Sequence, residues 1–276
     1  MTVRDLLVAA TEELERAGVP SPRVDAEWLL AHVLGISRTD LYANGDEAAE
    51  ERRLLFHELV ARRAEREPLA YILGEWGFRR LLLRVDRRVL IPRPETEAVV
   101  ERCLQLLADV PAPRVLDIGV GSGAIALAIA DEHPGARVVA TDNSAGALAV
   151  VEENRARAGL ALRVELVHGE LFAGLEGPFD LVVSNPPYVR PEEVGGLEPE
   201  VARYEPREAL IAHGVTEAIA EQALSRLGRG APLVLEAADG DARDVAALLT
   251  SLGYEDVRIG EDLAGRERVV DGHAPR

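Results

Sequence analysis

Pro113-Arg114-Val115-Leu116-Asp117-Ile118, then Gly119-Val120-Gly121-Ser122-Gly123, then Ala124-Ile125-Ala126-Leu127-Ala128-Ile129-Ala130 form one uninterrupted run. The first part is a short apolar strand, the last an apolar helix, and the glycine-rich turn between them makes the run a strand–loop–helix corner. Such corners bind nucleotides, because glycine lets the backbone turn sharply and come close to a ligand. Gly119, Val120, Gly121, Ser122 and Gly123 are therefore candidate cofactor residues. The corner is not a P-loop, which needs a lysine after its last glycine. The chain has no lysine at all, its 31 basic residues all being arginine. Gly119-x-Gly121-x-x-Ala124 also satisfies the dinucleotide fingerprint, so the loop by itself leaves its ligand open.

Downstream, Ala136-Arg137-Val138-Val139-Ala140 reads as a second strand ending at Thr141-Asp142. An acid at that strand end is placed to accept two ribose hydroxyls. From about Pro94 onward short strands alternate with helices, which predicts an α/β fold with a doubly wound, mostly parallel sheet. Upstream, residues 2 to 67 carry helical periodicity. Thr2 is expected to cap a helix ended at Gly18, Ser21-Pro22 to start a second ended at Gly35, and Asp46 to begin a long one stopped by Pro68. Arg52-Arg53 and Arg62-Arg63 lie among glutamates there and read as a solvated helix face. Trp28, Leu29 and Tyr42 suit either a core or a contact surface. Trp76 to Ile91, with Leu81-Leu82-Leu83 and Val85, reads as a hairpin. The expected organisation is a helical bundle over residues 1–75, a hairpin junction over 76–93 and an α/β domain over 94–276. There is no internal repeat and no low-complexity tract.

Asn185-Pro186-Pro187-Tyr188 carries the chemistry. It follows Phe179-Asp180-Leu181-Val182-Val183-Ser184, a buried strand by its composition, which puts Asn185 at a strand's carboxyl end, where open α/β sheets bind ligands. The two prolines hold the backbone extended and leave the Pro186 carbonyl free to accept. A planar NH2 group can then donate one hydrogen to the Asn185 side-chain oxygen and the other to the Pro186 carbonyl, with Tyr188 packing on its flat face. The competing reading is an ordinary proline-rich turn after a strand.

Taken in order, the glycine loop, the ribose acid and the Asn-Pro-Pro-Tyr motif resemble the S-adenosylmethionine-dependent methyltransferases that act on nitrogen. Four further segments narrow the resemblance: Glu67-Pro68-Leu69-Ala70-Tyr71-Ile72-Leu73-Gly74, Val89-Leu90-Ile91-Pro92-Arg93-Pro94-Glu95-Thr96-Glu97, Glu205-Pro206-x-x-Ala209-Leu210 and Asp262-Leu263-Ala264-Gly265-Arg266. From about residue 65 onward the chain resembles the bacterial peptide chain release factor N5-glutamine methyltransferases, which are class I methyltransferases. The resemblance implies a seven-stranded methyltransferase sheet and S-adenosylmethionine as cofactor. It also implies methylation of the glutamine side-chain amide in the Gly-Gly-Gln motif of release factors, with the helical bundle helping to grip that partner. Carried over residue by residue, it assigns Gly119, Val120, Gly121, Ser122, Gly123, Asp142, Glu170, Leu171 and Asn185 to the cofactor. Asn185, Pro186, Pro187 and Tyr188 go to the substrate, with Asn185, Pro186 and Tyr188 catalytic.

This sequence departs from the family pattern in several places. Val120 stands where threonine is usual, Glu170-Leu171-Phe172 where an aspartate precedes an aromatic residue, and Ala237-Ala238-Asp239-Gly240 where glycine and glutamine follow the strand Leu233-Val234-Leu235-Glu236. Arg93 and Thr96 suit the methionine end of the cofactor, and Arg93 equally suits an ion pair with Glu95 or Glu97. Two alternatives share the main motif or the fold: an adenine-N6 or ribosomal RNA base methyltransferase, and a cofactor-binding scaffold without catalysis.

Bulk properties limit the field. A net charge of −17 argues against a nucleic-acid substrate, since phosphate binding needs clustered cations. The single cysteine, Cys103, rules out an internal disulfide, suits a reducing cytoplasm and falls on the core side of a helix. His32, His57, His133, His168, His213 and His273 lack the paired spacing of a zinc site, so no metal is expected. The amino terminus opens directly into an amphipathic helix without a signal-peptide pattern, and no apolar run reaches the length of a membrane span. The expectation is a soluble, cytoplasmic monomer that binds release factors and contacts neither nucleic acid nor membrane.

Overall fold

The computed structural model describes residues 2–43, 50–211 and 214–276. Asp46 and His213 lie outside the described residues, as does the side chain of Tyr42. In chain order the elements are α1 (Val3–Arg16), α2 (Pro22–Leu34), α3 (Asp40–Ala43), α4 (Glu50–Ala64), α5 (Leu69–Leu73), β1 (Glu75–Phe78) and β2 (Leu81–Arg84). Then come α6 (Thr96–Leu107), β3 (Arg114–Ile118), α7 (Ala124–Glu132), β4 (Arg137–Asp142), α8 (Ala145–Arg157), β5 (Val164–His168) and β6 (Leu181–Ser184). The last are α9 (Pro199–Tyr204), α10 (Val215–Ala223), β7 (Pro232–Glu236), α11 (Ala242–Ser251), β8 (Glu255–Glu261) and β9 (Glu267–His273). No helix among the described residues is long and apolar enough to cross a membrane. The chain divides into two compact units, Met1–Glu75 with Leu197–Tyr204, and Trp76–Gly196 with Glu205–Arg276.

The first unit is helical. Thr2 caps α1 in a reciprocal box with Asp5, and Gly35 ends α2 in the left-handed conformation that glycine adopts at no steric cost. Leu6, Leu7 and Leu14 of α1 share a core with Leu29 and Leu30 of α2 and Phe56 and Val60 of α4. Each such burial stabilises the unit by roughly 1.5–3 kcal/mol relative to an exposed side chain. Leu29 is core, whereas Trp28 is exposed under the Arg38 guanidinium, 5.3 Å from its ring centre. Two expectations need correction. The long helix stops at Ala64 rather than Pro68, because the chain turns at Arg66, whose φ is +68°. Nor is Arg63 on a solvated face. It is buried and bonds Asp25 and Glu200, each at 2.8 Å, and the Glu67 carbonyl at 3.1 Å, partners that replace the water a buried guanidinium loses.

In the second unit β1 and β2 pair as a hairpin, and the other strands form a seven-stranded sheet in the order β5-β4-β3-β6-β7-β9-β8. Pairing is parallel from β5 through β7 and antiparallel at β9 and β8. Because strands alternate faces, Val115 of β3 joins one core with α6 and α7, while Leu116 and Ile118 join another with α10 and α11. Burial on both faces explains why these strands read as unbroken apolar runs. Cys103 of α6 is fully enclosed in the first of these cores, and burial pushes its thiol pKa up. Strand order reverses between β3 and β6, which opens a crevice at their carboxyl ends.

Candidate active site

The glycine loop leaves β3 at that crevice. Gly119, Gly121 and Gly123 have φ of +75°, +54° and +89°, a region that favours glycine, and the N–H groups of Gly119 and Val120 both donate to the Thr141 carbonyl at 2.9 Å. At Gly123 a Cβ would stand 2.5 Å from Val151 Cγ2 and 2.8 Å from Leu127 Cδ1, so α7 and α8 approach too closely there for any side chain. At Gly119 and Gly121 a Cβ would meet no atom within 4 Å. Those two glycines keep a space open rather than a contact tight. The loop is also tied from behind: buried Asn154 of α8 donates to the carbonyls of Ser122, at 2.8 Å, and Arg84, at 3.0 Å, and accepts from the Arg84 N–H at 2.7 Å.

Asp142 ends β4. Its Oδ2 accepts from the Gly121 N–H at 3.0 Å and its Oδ1 from the Ser144 N–H at 2.8 Å. Each oxygen retains capacity for a further hydrogen bond. Glu170 and Leu171 follow β5 and line a cavity with the glycine loop and Asp142, Glu170 exposed and Leu171 in the left-handed region with φ of +49°. Phe172 turns away into the core. His168 is exposed, with its Nε2 3.0 Å from the Asn143 carbonyl.

Asp117, next to last in β3, is a site residue that the sequence motifs do not mark. It is 1% exposed; its Oδ2 accepts from the Ala126 N–H at 3.0 Å and its Oδ1 has no partner. Burial pushes its pKa up to about 7 against the opposing pull of that N–H. The available signal was an acid inside an otherwise apolar strand immediately before the loop.

Asn185 stands at the end of β6, which is latched to β3 by the Ser184 hydroxyl donating to the Ile118 carbonyl at 2.7 Å. Asn185 Nδ2 donates to Thr96 Oγ1 at 3.3 Å, and the Thr96 hydroxyl donates to Glu236 Oε2 at 2.6 Å. Among the described residues, Asn185 Oδ1 and the Pro186 carbonyl accept no hydrogen bond within the chain. Beyond the motif, Val189 N–H donates to the Leu210 carbonyl at 2.9 Å, which anchors the segment. A cavity of about 310 Å³ runs from Gly119, Val120, Gly121 and Ser122 past Asp117 and Asp142 to Asn185, Pro186, Pro187 and Thr96, a volume within the range of small-molecule sites. Gly123 and Tyr188 are not in its wall. The Tyr188 ring centre lies 6.0 Å from the Arg268 guanidinium carbon, and burial, aided by nearby Glu236, raises its pKa.

Arg93 lines the cavity but pairs with neither Glu95 nor Glu97. It bonds Glu205 at 2.6 Å, while Glu95 takes Arg268 at 3.1 Å and Glu97 accepts the Arg79 N–H at 3.0 Å. The correction follows from the turn before α6, which sends consecutive side chains to different neighbours. Glu236 was likewise unmarked in sequence, since nothing near it along the chain signals a buried acid facing Thr96.

A family model described as PrmC N-terminal domain matches residues 5–74, and one described as Methyltransferase small domain matches 99–200. The chain is 43% identical over 275 residues to the release factor glutamine methyltransferase of Deinococcus radiodurans, covering 98% of each. It is 42% identical over 283 residues to that of Rhodopirellula baltica, covering 98% of this chain and 95% of the relative. Among solved structures, the hMettl16 catalytic domain aligns with a TM-score of 0.58 at 18% identity, over 79% of this chain and 82% of that one. A methyltransferase from Pyrococcus furiosus aligns with a TM-score of 0.52 at 20% identity, over 71% and 90% respectively. At those identities the structural likeness concerns the fold alone.

Proposed function

The chain belongs to the release factor glutamine methyltransferase family, and from that premise we propose that it moves a methyl group from S-adenosylmethionine to the glutamine side-chain amide in the Gly-Gly-Gln motif of peptide chain release factors. The observation that carries this reading is the pair of unsatisfied acceptors, Asn185 Oδ1 and the Pro186 carbonyl, in the wall of one cavity with the glycine loop. The base-methylating alternative is not favoured, because the relatives are named for glutamine in a protein and the net charge is −17.

The residues present fit the cofactor. Gly119 and Gly121 hold open a space that any side chain would fill, Asp142 offers two further acceptor sites for ribose hydroxyls, and Asp117 in the same wall keeps one buried carboxyl oxygen without a partner. Glu170 and Leu171 supply the edge beside β5. When bound there, S-adenosylmethionine supplies a methyl carbon activated by the positive sulfur it is attached to.

The chain's own work is to position the nucleophile. An amide nitrogen is weakly nucleophilic because its lone pair is delocalised into the carbonyl. Asn185 and Pro186 accept its two hydrogens, fix its orientation toward the cavity and stabilise positive charge as it develops on nitrogen. Once the N–C bond has formed, one of the two hydrogens on the now positively charged nitrogen is lost as a proton to solvent, which leaves a neutral secondary amide. Tyr188 follows these acceptors, its ring centre 6.0 Å from the Arg268 guanidinium carbon, and we assign it to the flat face of the amide. The helical unit exposes Val8, Trp28 and Leu54 on α1, α2 and α4, apolar side chains that we assign to partner contact.

Asn185→Ala tests the reading with labelled S-adenosylmethionine and intact release factor. Turnover is expected to fall about 10²–10³-fold, roughly 3–4 kcal/mol, while cofactor affinity changes little. A folded variant that methylates at the normal rate would remove the mechanism.

A further inference from the structure

Glu236 is joined to Asn185 through the single hydroxyl of Thr96, and nothing in the scheme above uses it. Glu236 ends β7 and is 1% exposed, Thr96 opens α6 and is 3% exposed, and Asn185 follows β6. Three elements therefore deliver a carboxyl, a hydroxyl and an amide in a row, joined at 2.6 and 3.3 Å. Resting on the assignment of Asn185 to the substrate amide, we propose that Glu236 and Thr96 are positioning residues that dictate which end of the Asn185 side chain faces the cavity.

The argument turns on counting hydrogens. An ionised carboxylate can only accept, and a hydroxyl has one hydrogen to give. Glu236 Oε1 has no partner, so Oε2 depends on the Thr96 hydroxyl. Diverting that hydrogen to Asn185 would leave a buried charge without a hydrogen bond, which costs more than leaving a neutral amide oxygen free. The hydroxyl hydrogen therefore stays on Glu236, and the lone pairs of Thr96 Oγ1 face Asn185. Only the NH2 end of an amide satisfies a lone pair. Nδ2 is drawn to Thr96, and Oδ1 is left as the acceptor on offer. Were the amide turned over, its NH2 would meet the NH2 of the substrate, donor against donor, and nothing would orient the nucleophile.

The groups around Glu236 set its titration. Burial pushes its pKa up to about 7; the Thr96 hydrogen bond opposes this, nearby Glu95 adds to it, and Arg268 and Arg93 oppose it, with Tyr188 also close by. A protonated Glu236 can donate to Thr96 Oγ1, which frees the hydroxyl hydrogen to meet Asn185 Oδ1 and removes the bias. The ionised form is the orienting one, so its contribution to kcat is lost as pH falls through about 7.

The test uses the full chain with intact release factor, following kcat, KM and the Kd for S-adenosylhomocysteine. Thr96→Val, which keeps shape and deletes the hydroxyl, is expected to lower kcat roughly 10- to 100-fold with Kd and KM held within about twofold. Thr96→Ser should recover most of that loss, and Thr96→Ala set against Thr96→Ser repeats the contrast if valine packs badly. Glu236→Gln should lower kcat similarly and remove the Glu236 part of the acid limb, leaving whatever limb Asp117 contributes. The double variant Thr96→Val/Glu236→Gln should be no worse than either single change, since both break one chain. Wild-type kcat in Thr96→Val, equal damage in Thr96→Val and Thr96→Ser, or multiplied losses in the double variant would each overturn the proposal. An inactive Asn185→Ala beside an active Thr96→Val would sink this inference alone, whereas an active Asn185→Ala would sink the assignment beneath it.

Discussion

At one end of the cavity every tie has a main-chain group on at least one side: the Thr141 carbonyl receives the N–H groups of Gly119 and Val120, the Asp142 carboxylate receives those of Gly121 and Ser144, and Asn154 holds the Ser122 carbonyl from behind. At the other end Asn185 is oriented by Thr96, 89 residues away, and Thr96 by Glu236, a further 140 residues along. The first end is a shape made by consecutive dihedral angles, and most side-chain changes around it leave the backbone path alone. The second is a relay of single atoms in which deleting one oxygen changes the direction of the rest. On this contrast Val120 can stand in the loop where threonine is usual, whereas loss of the Thr96 hydroxyl is expected to lower kcat.

Asp117 belongs in space to the first end but behaves like the second, and Asp117→Asn sharpens the comparison most. Its folded pKa of about 7 lies above that of an unfolded aspartate, so ionisation costs stability that is absent at low pH, appears as pH rises past about 4 and is complete above about 7. Relative to wild type, the asparagine variant should therefore gain stability between pH 4 and pH 8, approaching about 4 kcal/mol. Denaturant unfolding at the two pH values measures it, and a difference that does not change with pH would show that the carboxyl is ionised at no cost.

A second expectation could break the contrast. Asp142→Ala should weaken binding of S-adenosylmethionine and S-adenosylhomocysteine alike by roughly 2–4 kcal/mol, through two charge-assisted hydrogen bonds. Calorimetry at constant pH reads both. Near-normal affinity would mean that Asp142 serves the loop backbone and not the ribose.

The smallest effect concerns the loop's rear. Gly123→Ala places a Cβ against Val151 and Leu127 at a φ of +89°, and should cost about 1–3 kcal/mol of stability. Thermal unfolding checks it. The same substitution at Gly119, where no atom lies within 4 Å, should act through strained φ and ligand access instead of packing, so cofactor affinity should suffer more than stability.

By itself the sequence determined what adjacent residues decide. The Thr2 cap, the left-handed Gly35 stop, the strand–glycine loop–helix corner, the position of Asp142 and the placing of Asn185 after an apolar strand depend on local dihedral preference and on the two- or 3.6-residue period of burial. Tertiary structure alone decided which distant charges meet. Arg93 found Glu205 instead of its neighbours in sequence, Arg63 left a presumed solvent face for Asp25 and Glu200, and Glu236 came to rest behind Thr96. Such pairings follow from the order in which strands enter the sheet and helices pack on it, and that order brings together side chains whose chain separation carries no periodic signal. A buried carboxyl is costly wherever it stands, but only the folded chain reveals which hydroxyl or guanidinium offsets the cost.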